Sequence, residues 1–245
     1  MRKVLITGVS SGIGHALAEH YLAAGATVYG LSRRQPHELL AHPRFRFCPV
    51  DLAVPLTAQA TLRRFLLETQ GLTALDHVFL NAGRFSQQIA RLSDVPLADI
   101  QQLMDINVWA NKTVLDVLLH GGVAIGNCIF SASIAGVRAR AGNSGYALSK
   151  ATLNMLAKLY ALEHPQVFFA AIGLCSVDTP LSQQVLALPL EGDFPAVAAL
   201  RQRSDEAGYL ASPQQRAHQL DALLQGRLQQ LLASGDFVEI RSLLQ

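Results

Sequence analysis

Tyr146 and Lys150 are four residues apart, and Ser133 precedes the tyrosine by thirteen residues. Four residues make about one turn of a helix, so the phenol and the amine share one face. A free tyrosine has a pKa of about 10, and a nearby ammonium lowers it because it favours the phenolate. Ser133 follows an apolar strand, whose carboxyl end would face a ligand crevice. The three residues predict a site that protonates a carbonyl oxygen. Ser131 is the other candidate hydroxyl, and the thirteen-residue separation favours Ser133.

A glycine-rich turn follows the first predicted strand. Glycines at such a turn let the backbone approach a pyrophosphate, and the free N–H groups and dipole of the helix that begins there bind the anion. The spacing G-x-x-x-G-x-G differs from the commoner G-x-G-x-x-G, and an ordinary strand-to-helix turn is the alternative interpretation. We expect this turn to contact a dinucleotide through Gly8, Ser10, Ser11, Gly12, Ile13 and Gly14.

The end of the second predicted strand indicates which dinucleotide binds. An acidic residue there usually accepts hydrogen bonds from the ribose of NAD, and this chain has none. Ser32, Arg33 and Arg34 stand there instead, and guanidinium groups suit the 2′-phosphate of NADP. Solvated surface arginines are the alternative. Asp51, followed by Leu52, could accept a hydrogen bond from adenine or serve only its loop. The pattern favours NADP (NADPH) over NAD.

Short apolar runs alternate with helical patterns along the chain. This alternation predicts an α/β fold, a Rossmann-type doubly wound parallel sheet of about seven strands with helices on both faces. The strands are predicted at 3–7, 27–31, 44–50, 76–80, 127–131, 167–173 and 237–240. The helices are predicted from Gly12 to a cap at Gly25 and at 57–69, 97–119, 146–163 and 213–232. We expect one NAD(P)-binding domain, 1–245, in which the apolar, proline-containing segment 180–210 covers the substrate as a lid.

The composition argues against several classes of protein. A chain of 245 residues with 50% hydrophobic content and a net charge of +2 has one large core and no nucleic-acid footprint or polybasic membrane patch. The first strand begins too early to leave room for a secretory signal, and the apolar stretch 167–177 is too short to span a bilayer. Cys48, Cys128 and Cys175 are far apart and the histidines form no ligand pair, so neither disulfides nor a metal are expected. We expect a cytoplasmic protein.

The sequence resembles the short-chain dehydrogenase/reductase family over roughly the first three-quarters of the chain. The matching motifs are T-G-x-x-x-G-I-G at 7–14, N-A-G at Asn81, Ala82 and Gly83, an asparagine at Asn107, the serine at Ser133, and Y-x-x-x-K at Tyr146 and Lys150. The resemblance implies that Tyr146 is the general acid in reduction, that Ser133 polarises the carbonyl, and that Lys150 binds the nicotinamide ribose and lowers the tyrosine pKa. It also implies that Asn107 holds a water in a proton relay, that residues 81–83 pass beside the cofactor, and that the strand order is 3-2-1-4-5-6-7.

The sequence departs from the family pattern at two places. The family commonly has Pro-Gly before V-x-T after the sixth strand, where backbone groups grip the nicotinamide carboxamide. This chain has Leu174-Cys175 before Val177 and Thr179, so the last two residues fit the pattern and the geometry of the turn stays open. Cys175 is expected to be a small apolar filler. The C-terminal segment resembles the sepiapterin- and benzil-reductase branch.

Together these observations predict an NADPH-dependent enzyme that reduces a ketone to an alcohol by hydride transfer. The apolar lid favours a ketone with aromatic or alicyclic bulk. A 3-oxoacyl carrier-protein reductase is the alternative within the family, and a non-catalytic sensor of NADP(H) is the alternative of another class. A helix with small residues at Ala147, Ala151 and Ala157 favours a homodimer or homotetramer, and packing within one chain is its alternative.

Overall fold

The computed structural model describes residues 1–189, 192–226 and 228–244. Its strands are β1 (Lys3–Thr7), β2 (Thr27–Ser32), β3 (Phe45–Pro49), β4 (Ala74–Leu80), β5 (Ala124–Ala132), β6 (Phe168–Gly173) and β7 (Phe237–Glu239). They form one parallel sheet in the order β3-β2-β1-β4-β5-β6-β7. The predicted fold class and strand order are confirmed.

Helices cover both faces of this sheet. In the described residues they are α1 (Gly12–Ala23), α2 (His37–Leu40), α3 (Pro55–Leu62), α4 (Leu97–Met104), α5 (Ala110–His120), α6 (Ser144–Glu163), α7 (Pro180–Ala187), α8 (Pro195–Ser204), α9 (Pro213–Leu224), α10 (Leu228–Leu231) and α11 (Ile240–Leu243). The helices α3, α5 and α6 pack on one face, and α1 and α9 pack on the other. Within these ranges, no helix combines the length and the apolar character needed to cross a bilayer.

Side chains alternate along β1 between two layers of the core. Leu5 packs into the layer of α3, α5 and α6, whereas Val4 and Ile6 pack into the layer of α1 and α9. All three side chains are fully buried. Successive residues of a strand point to opposite faces, so a strand that is covered on both faces must be apolar throughout. This requirement explains the uninterrupted apolar run at the start of the chain.

The helical predictions differ from the structure in detail. The predicted helix 97–119 contains a π-helical turn, Asp105–Trp109, between α4 and α5. A second π-helical turn, Arg63–Thr69, follows α3. The predicted helix 213–232 was too long, because α9 ends at Leu224, shortly before Gly226, and glycine disfavours a helical backbone. The π-helical turn between α4 and α5 matters most, because it lies at the site described below.

The segment that was predicted to cover the substrate contains α7 and α8, and its positions 190 and 191 lie outside the described residues. The hydroxyl of Thr179 accepts a hydrogen bond from the Ser182 N–H at 3.2 Å, and the Ser182 hydroxyl accepts one from the Thr179 N–H at 2.9 Å. These reciprocal bonds form a capping box at the start of α7. The cap fixes the direction in which the segment leaves the sheet after β6.

Candidate active site

The turn between β1 and α1 has a backbone conformation that glycine adopts most readily. Gly8 and Gly12 have φ angles of 77° and 60°, in the left-handed region. A Cβ atom at Gly14 would lie 2.3 Å from the carbonyl oxygen of Gly8. The Ser11 side chain forms no hydrogen bond with the first turn of α1, so the N–H groups of that turn are available to a ligand. The turn therefore fits a pyrophosphate at the start of α1.

A groove with a volume of about 430 Å³ begins at this turn and passes the carboxyl ends of β1 to β4. Most of the residues that were predicted to bind the cofactor line this groove. They are Gly8, Ser10, Ser11, Gly12, Ile13, Ser32, Arg33, Arg34, Asp51, Leu52, Asn81, Ala82, Gly83 and Thr179. Gly14 lies beneath the turn, and Tyr146, Lys150 and Val177 line the neighbouring cavity described below. Sequence reasoning missed Gln102 and Asp105, which line the groove from α4 and its π-helical turn.

The end of β2 holds the residues that were predicted to distinguish NADP from NAD. The Ser32 hydroxyl donates a 2.7 Å hydrogen bond to the Arg34 carbonyl oxygen, and Arg33 and Arg34 both line the groove. One guanidinium nitrogen of Arg33 lies 3.8 Å from the Asp51 carboxylate, an exposed pair that contributes little energy. Asp51 also accepts a hydrogen bond from the Ala53 N–H at 3.0 Å. Asp51 therefore has a structural role in its loop.

Asn81 and Ala82 connect the end of β4 to β1 through the buried hydroxyl of Thr7. That hydroxyl oxygen accepts hydrogen bonds from the Asn81 N–H at 2.9 Å and the Ala82 N–H at 2.8 Å. The Asn81 side-chain oxygen accepts a hydrogen bond from the Ser131 hydroxyl at 3.1 Å. These bonds hold the ends of β1, β4 and β5 together. The Ser131 hydroxyl thereby donates its proton to Asn81, whereas the Ser133 hydroxyl oxygen accepts a hydrogen bond from the Ala135 N–H at 3.2 Å.

Ser133, Tyr146 and Lys150 lie together at the carboxyl end of β5. The Ser133 hydroxyl contacts the Tyr146 phenol closely enough to lower its pKa. The Lys150 ammonium lies 5.5 Å from the centre of the Tyr146 ring and donates a 2.7 Å hydrogen bond to the Ser131 carbonyl oxygen. Phe85 packs against the same ring, with the ring centres 4.6 Å apart. The fold thus assembles the residues that the sequence spacing selected and adds Phe85, for which the sequence held no signal.

Burial controls the titration of the phenol and the amine. It raises the pKa of Tyr146 above its ordinary value of 10.0, and the contact with Ser133 only partly opposes this rise. It lowers the pKa of Lys150 from 10.5 to about 8. Desolvation of the phenolate thus outweighs the polar contact that lowers the tyrosine pKa. The tyrosine therefore stays protonated at neutral pH, whereas the lysine, with a pKa of about 8, loses its proton at mildly alkaline pH.

Asn107 is fully buried in the π-helical turn between α4 and α5. Its side-chain oxygen accepts a hydrogen bond from the Arg84 N–H at 2.9 Å, and its side-chain nitrogen donates to the Arg84 carbonyl and the Ser149 hydroxyl, each at 3.0 Å. Its main-chain carbonyl accepts a hydrogen bond from the Asn111 amide at 2.8 Å. The side chain therefore connects the segment after β4 to α6.

The turn after β6 keeps a left-handed backbone although it lacks glycine. Cys175 has a φ angle of 59°, and among the described residues it is the one non-glycine residue with a positive φ. Its sulfur lies 3.6 Å from the Glu239 carboxylate, and burial raises the pKa of its thiol. A thiol with a raised pKa is a poor nucleophile. The cysteine that stands in place of the glycine of Pro-Gly therefore adopts a backbone conformation that glycine favours.

A second cavity, with a volume of about 470 Å³, opens beside Tyr146. It adjoins the groove that begins at the glycine turn, which we call the dinucleotide groove. Both are lined by Asn81, Gly83, Arg84 and Thr179. Its large apolar side chains are Ile13, Phe85, Ile89, Ile134, Leu174, Val177, Leu181, Val185, Leu186, Val197, Leu200 and Leu210. Half of them belong to α7, α8 and the chain that follows them. The cavity can therefore hold an apolar ligand against the phenol.

The closest approach to a metal site in the described residues is a surface group on α1 and α2. The Nδ1 atom of His15 lies 3.4 Å from the Glu19 carboxylate, and its Nε2 atom lies 3.6 Å from the Glu38 carboxylate. None of these residues lines either cavity. An imidazole beside two carboxylates is an ordinary polar contact of a protein surface, and we assign it no role.

Comparison with known proteins identifies the family to which this chain is similar. The family model for short chain dehydrogenases matches residues 2–187. The short chain dehydrogenase gsfK of Penicillium aethiopicum is 31% identical over 200 residues, which cover 76% of this chain and 79% of that protein. A 1-deoxy-11-beta-hydroxypentalenate dehydrogenase of Streptomyces arenae is 30% identical over 216 residues, which cover 81% of this chain and 75% of that protein.

Among solved structures, a short chain dehydrogenase of Burkholderia cenocepacia in complex with NADP superposes with a TM-score of 0.75 at 25% identity. The superposition covers 97% of this chain and 95% of that one. The family match extends from β1 to α7 and includes the glycine turn and the residues around the phenol. The chain therefore belongs to the short-chain dehydrogenase/reductase family, whose members are oxidoreductases that use nicotinamide cofactors.

Proposed function

We propose that this oxidoreductase uses NADPH to reduce a ketone to an alcohol in the cavity beside Tyr146. The observation that carries the proposal is that Ser133, Tyr146 and Lys150 line one cavity that adjoins the dinucleotide groove. A carbonyl oxygen bound between these groups meets two hydroxyl donors, which stabilise the negative charge that develops on it. Bound NADPH supplies the hydride.

The residues around the Tyr146 phenol have different roles in the proton transfer. The Tyr146 phenol donates its proton to the carbonyl oxygen, and its raised pKa keeps it protonated until then. Ser133 donates a hydrogen bond to the same oxygen. The Lys150 ammonium beside the ring stabilises the phenolate that remains. Asn107 holds a water in the relay that returns a proton to Lys150.

Tyr146→Phe tests this assignment, because it removes the hydroxyl and keeps the ring that packs on Phe85. We expect ketone-dependent oxidation of NADPH to fall by at least about 100-fold. NADPH affinity, measured by fluorescence titration, should stay nearly unchanged. Loss of NADPH binding in this variant would contradict the role given to the hydroxyl. If the wild type binds NADPH tightly but turns over no ketone, the alternative of a non-catalytic sensor of NADP(H) is favoured.

The proposed preference for NADPH depends on the end of β2. Residues 32–34 contain no carboxylate, and Arg33 and Arg34 line the groove. The Burkholderia cenocepacia relative binds NADP. We expect Arg33→Ala to weaken NADPH binding far more than NADH binding, because the guanidinium forms charge-assisted hydrogen bonds with the 2′-phosphate. The exposed Arg64→Ala is the control, and an equal effect on both cofactors would reject the assignment.

The apolar wall of the cavity supports a ketone with aromatic or alicyclic bulk. The Streptomyces arenae relative is named as a dehydrogenase of a hydroxylated compound, 1-deoxy-11-beta-hydroxypentalenate. The alternative substrate class, 3-oxoacyl groups on a carrier protein, is tested in the same assay with 3-oxoacyl thioesters. Faster turnover of the thioesters than of any cyclic or aromatic ketone would favour the alternative.

We further propose a cytoplasmic homodimer or homotetramer in which residues 1–245 form one domain and 180–210 cover the substrate. The support for an oligomer is a stripe of exposed apolar side chains on α6. The stripe consists of Leu148, Met155, Leu159 and Leu162. Their spacing of seven, four and three residues places them on one helix face. Light scattering should show that Leu159→Glu dissociates the wild-type oligomer, and a monomeric wild type would contradict the proposal.

A further inference from the structure

The cavity beside Tyr146 is rich in positive charge. The arginines that line it are Arg84, Arg138, Arg140, Arg203 and Arg241. Among its described lining residues, Glu239 is the one carboxylate. The chain as a whole is almost neutral, with 20 basic and 18 acidic residues. The lining of this cavity is therefore more positively charged than the protein on average. A cleft whose charges have one sign focuses the field and attracts ligands of the opposite sign.

The described residues do not neutralise these guanidinium groups. None of the five arginines forms an ion pair within the part of the chain that the structure describes. Arg241 donates a 3.1 Å hydrogen bond to the Tyr209 carbonyl and lies 5.3 Å from the centre of its ring. Arg84 donates a 3.4 Å hydrogen bond to the Gln102 side chain. Both partners are neutral, so they orient the guanidinium groups without cancelling their charge.

Arg138 and Arg140 belong to the loop that joins the two hydroxyl-bearing elements. The loop begins after the 3-10 turn that follows Ser133, and it ends at α6, whose first turn carries Tyr146. Arg138 is exposed and Arg140 is half-buried. A charge bound by this short loop is therefore held at a fixed place relative to both hydroxyls, which favours one orientation of the reacting carbonyl.

Glu239 offsets at most one of the five positive charges of the arginines that line the cavity. It lies 3.6 Å from the Cys175 sulfur, and burial raises the pKa of that thiol against the opposing influence of Arg241 and Arg216.

We propose that the substrate is an amphipathic anion, a ketone with an apolar body and a carboxylate or phosphate group that the arginines bind. The apolar body packs against Phe85, Ile89 and the wall formed by α7 and α8. Arginine suits this role because its planar guanidinium forms two parallel hydrogen bonds with a carboxylate or a phosphate. The inference rests on the ketone reduction proposed above and adds the charge of the substrate.

Matched ketones that differ in charge test this inference. The probes are 4-oxocyclohexanecarboxylate, its methyl ester, and 4-oxocyclohexylmethyl phosphate. We expect kcat/KM of one of the anions to exceed that of the ester by about tenfold or more, the contribution of one charge-assisted hydrogen bond. The joint substitution Arg138→Gln and Arg140→Gln should remove most of this advantage, because it should reduce kcat/KM of the anion far more than that of the ester. The exposed pair Arg63→Gln and Arg64→Gln is the control and should change neither value.

A binding measurement separates this inference from the proposed reaction. Cyclohexanecarboxylate and cyclohexanecarboxamide are titrated calorimetrically into the protein and into the Arg138→Gln, Arg140→Gln variant. Tighter binding of the carboxylate, lost in the variant, supports the inference even if no ketone is reduced, in which case the proposed reaction is wrong. Equal binding of both, with equal turnover of ester and anions, overturns the inference and leaves the reaction intact. A preference confined to 3-oxoacyl thioesters on an acidic carrier protein also overturns it, because the arginines would then dock a macromolecule.

Discussion

The Asn107 side chain pairs with the main chain of Arg84 through two hydrogen bonds, one from the Arg84 N–H at 2.9 Å and one to its carbonyl oxygen at 3.0 Å. Arg84 lines both the dinucleotide groove and the substrate cavity. Asn107 therefore fixes the backbone where the two cavities meet. The π-helical turn around Asn107 is the local irregularity that accompanies this pairing, and such turns are frequent at functional sites.

Substitution of Asn107 should reduce stability as well as activity. We expect Asn107→Ala to lower the free energy of unfolding by about 1–3 kcal/mol, because it leaves half-buried main-chain groups of Arg84 without their side-chain partners. Asn107→Asp should be at least as harmful, since a carboxylate would face the Arg84 carbonyl oxygen. Urea denaturation measures both variants, with Asn111→Ala as the control that removes a single bond. Loss of activity at wild-type stability would instead assign Asn107 to proton transfer alone.

The rate of ketone reduction should decrease at alkaline pH. Burial lowers the pKa of Lys150 to about 8, so the ammonium that stabilises the Tyr146 phenolate is lost as the pH rises through that value. We expect kcat/KM to be constant near neutral pH and to fall above about pH 8. Lys150→Arg keeps a charge at high pH, so its residual activity should lack this decrease. A wild-type profile that stays flat up to the ordinary lysine pKa of 10.5 would contradict the prediction.

The same burial should make Lys150 unfavourable for stability at neutral pH. A base whose pKa is lower in the folded protein binds fewer protons there, so stability is complete above the unfolded pKa of 10.5 and is lost as the pH falls through about 8. The difference corresponds to about 3 kcal/mol, and the bond to Ser131 offsets about 1 kcal/mol of it.

We therefore expect Lys150→Met to be inactive and yet more stable than the wild type by about 2 kcal/mol at neutral pH. The gain should disappear as the pH approaches 10.5. Urea denaturation at both pH values measures it. A destabilised variant at neutral pH would show that the polar contacts of the ammonium outweigh its desolvation.

Cys175→Gly should stabilise the protein, because it removes a side chain from a left-handed backbone. With φ at 59°, the expected gain in the free energy of unfolding is about 1 kcal/mol. Gly8→Ala is the matched opposite change: φ is 77°, and the new Cβ would lie 3.1 Å from the Ala82 Cα. It should reduce both stability and dinucleotide affinity. A thermal melt compares the two, and destabilisation by Cys175→Gly would mean that the sulfur packing outweighs the strain.

The sequence by itself determined the parts of this protein that depend on neighbouring residues. Apolar runs and turn residues marked the strands of the sheet, because a strand buried on both faces must be apolar along its length. The spacing of Tyr146 and Lys150 placed them on one helix face, since four residues make about one turn. The π-helical turn around Asn107 escaped prediction, because its apolar spacing resembles that of the flanking α-helices.

Only the tertiary structure decided which distant segments meet. It engaged the Ser131 hydroxyl with Asn81 and left Ser133 beside Tyr146. It gathered arginines from separate loops and helices around one cavity, a concentration that a nearly neutral composition conceals. It also raised the pKa of Tyr146 where the sequence had suggested the opposite. Desolvation depends on everything packed around a group, and sequence spacing describes only the neighbours along one helix.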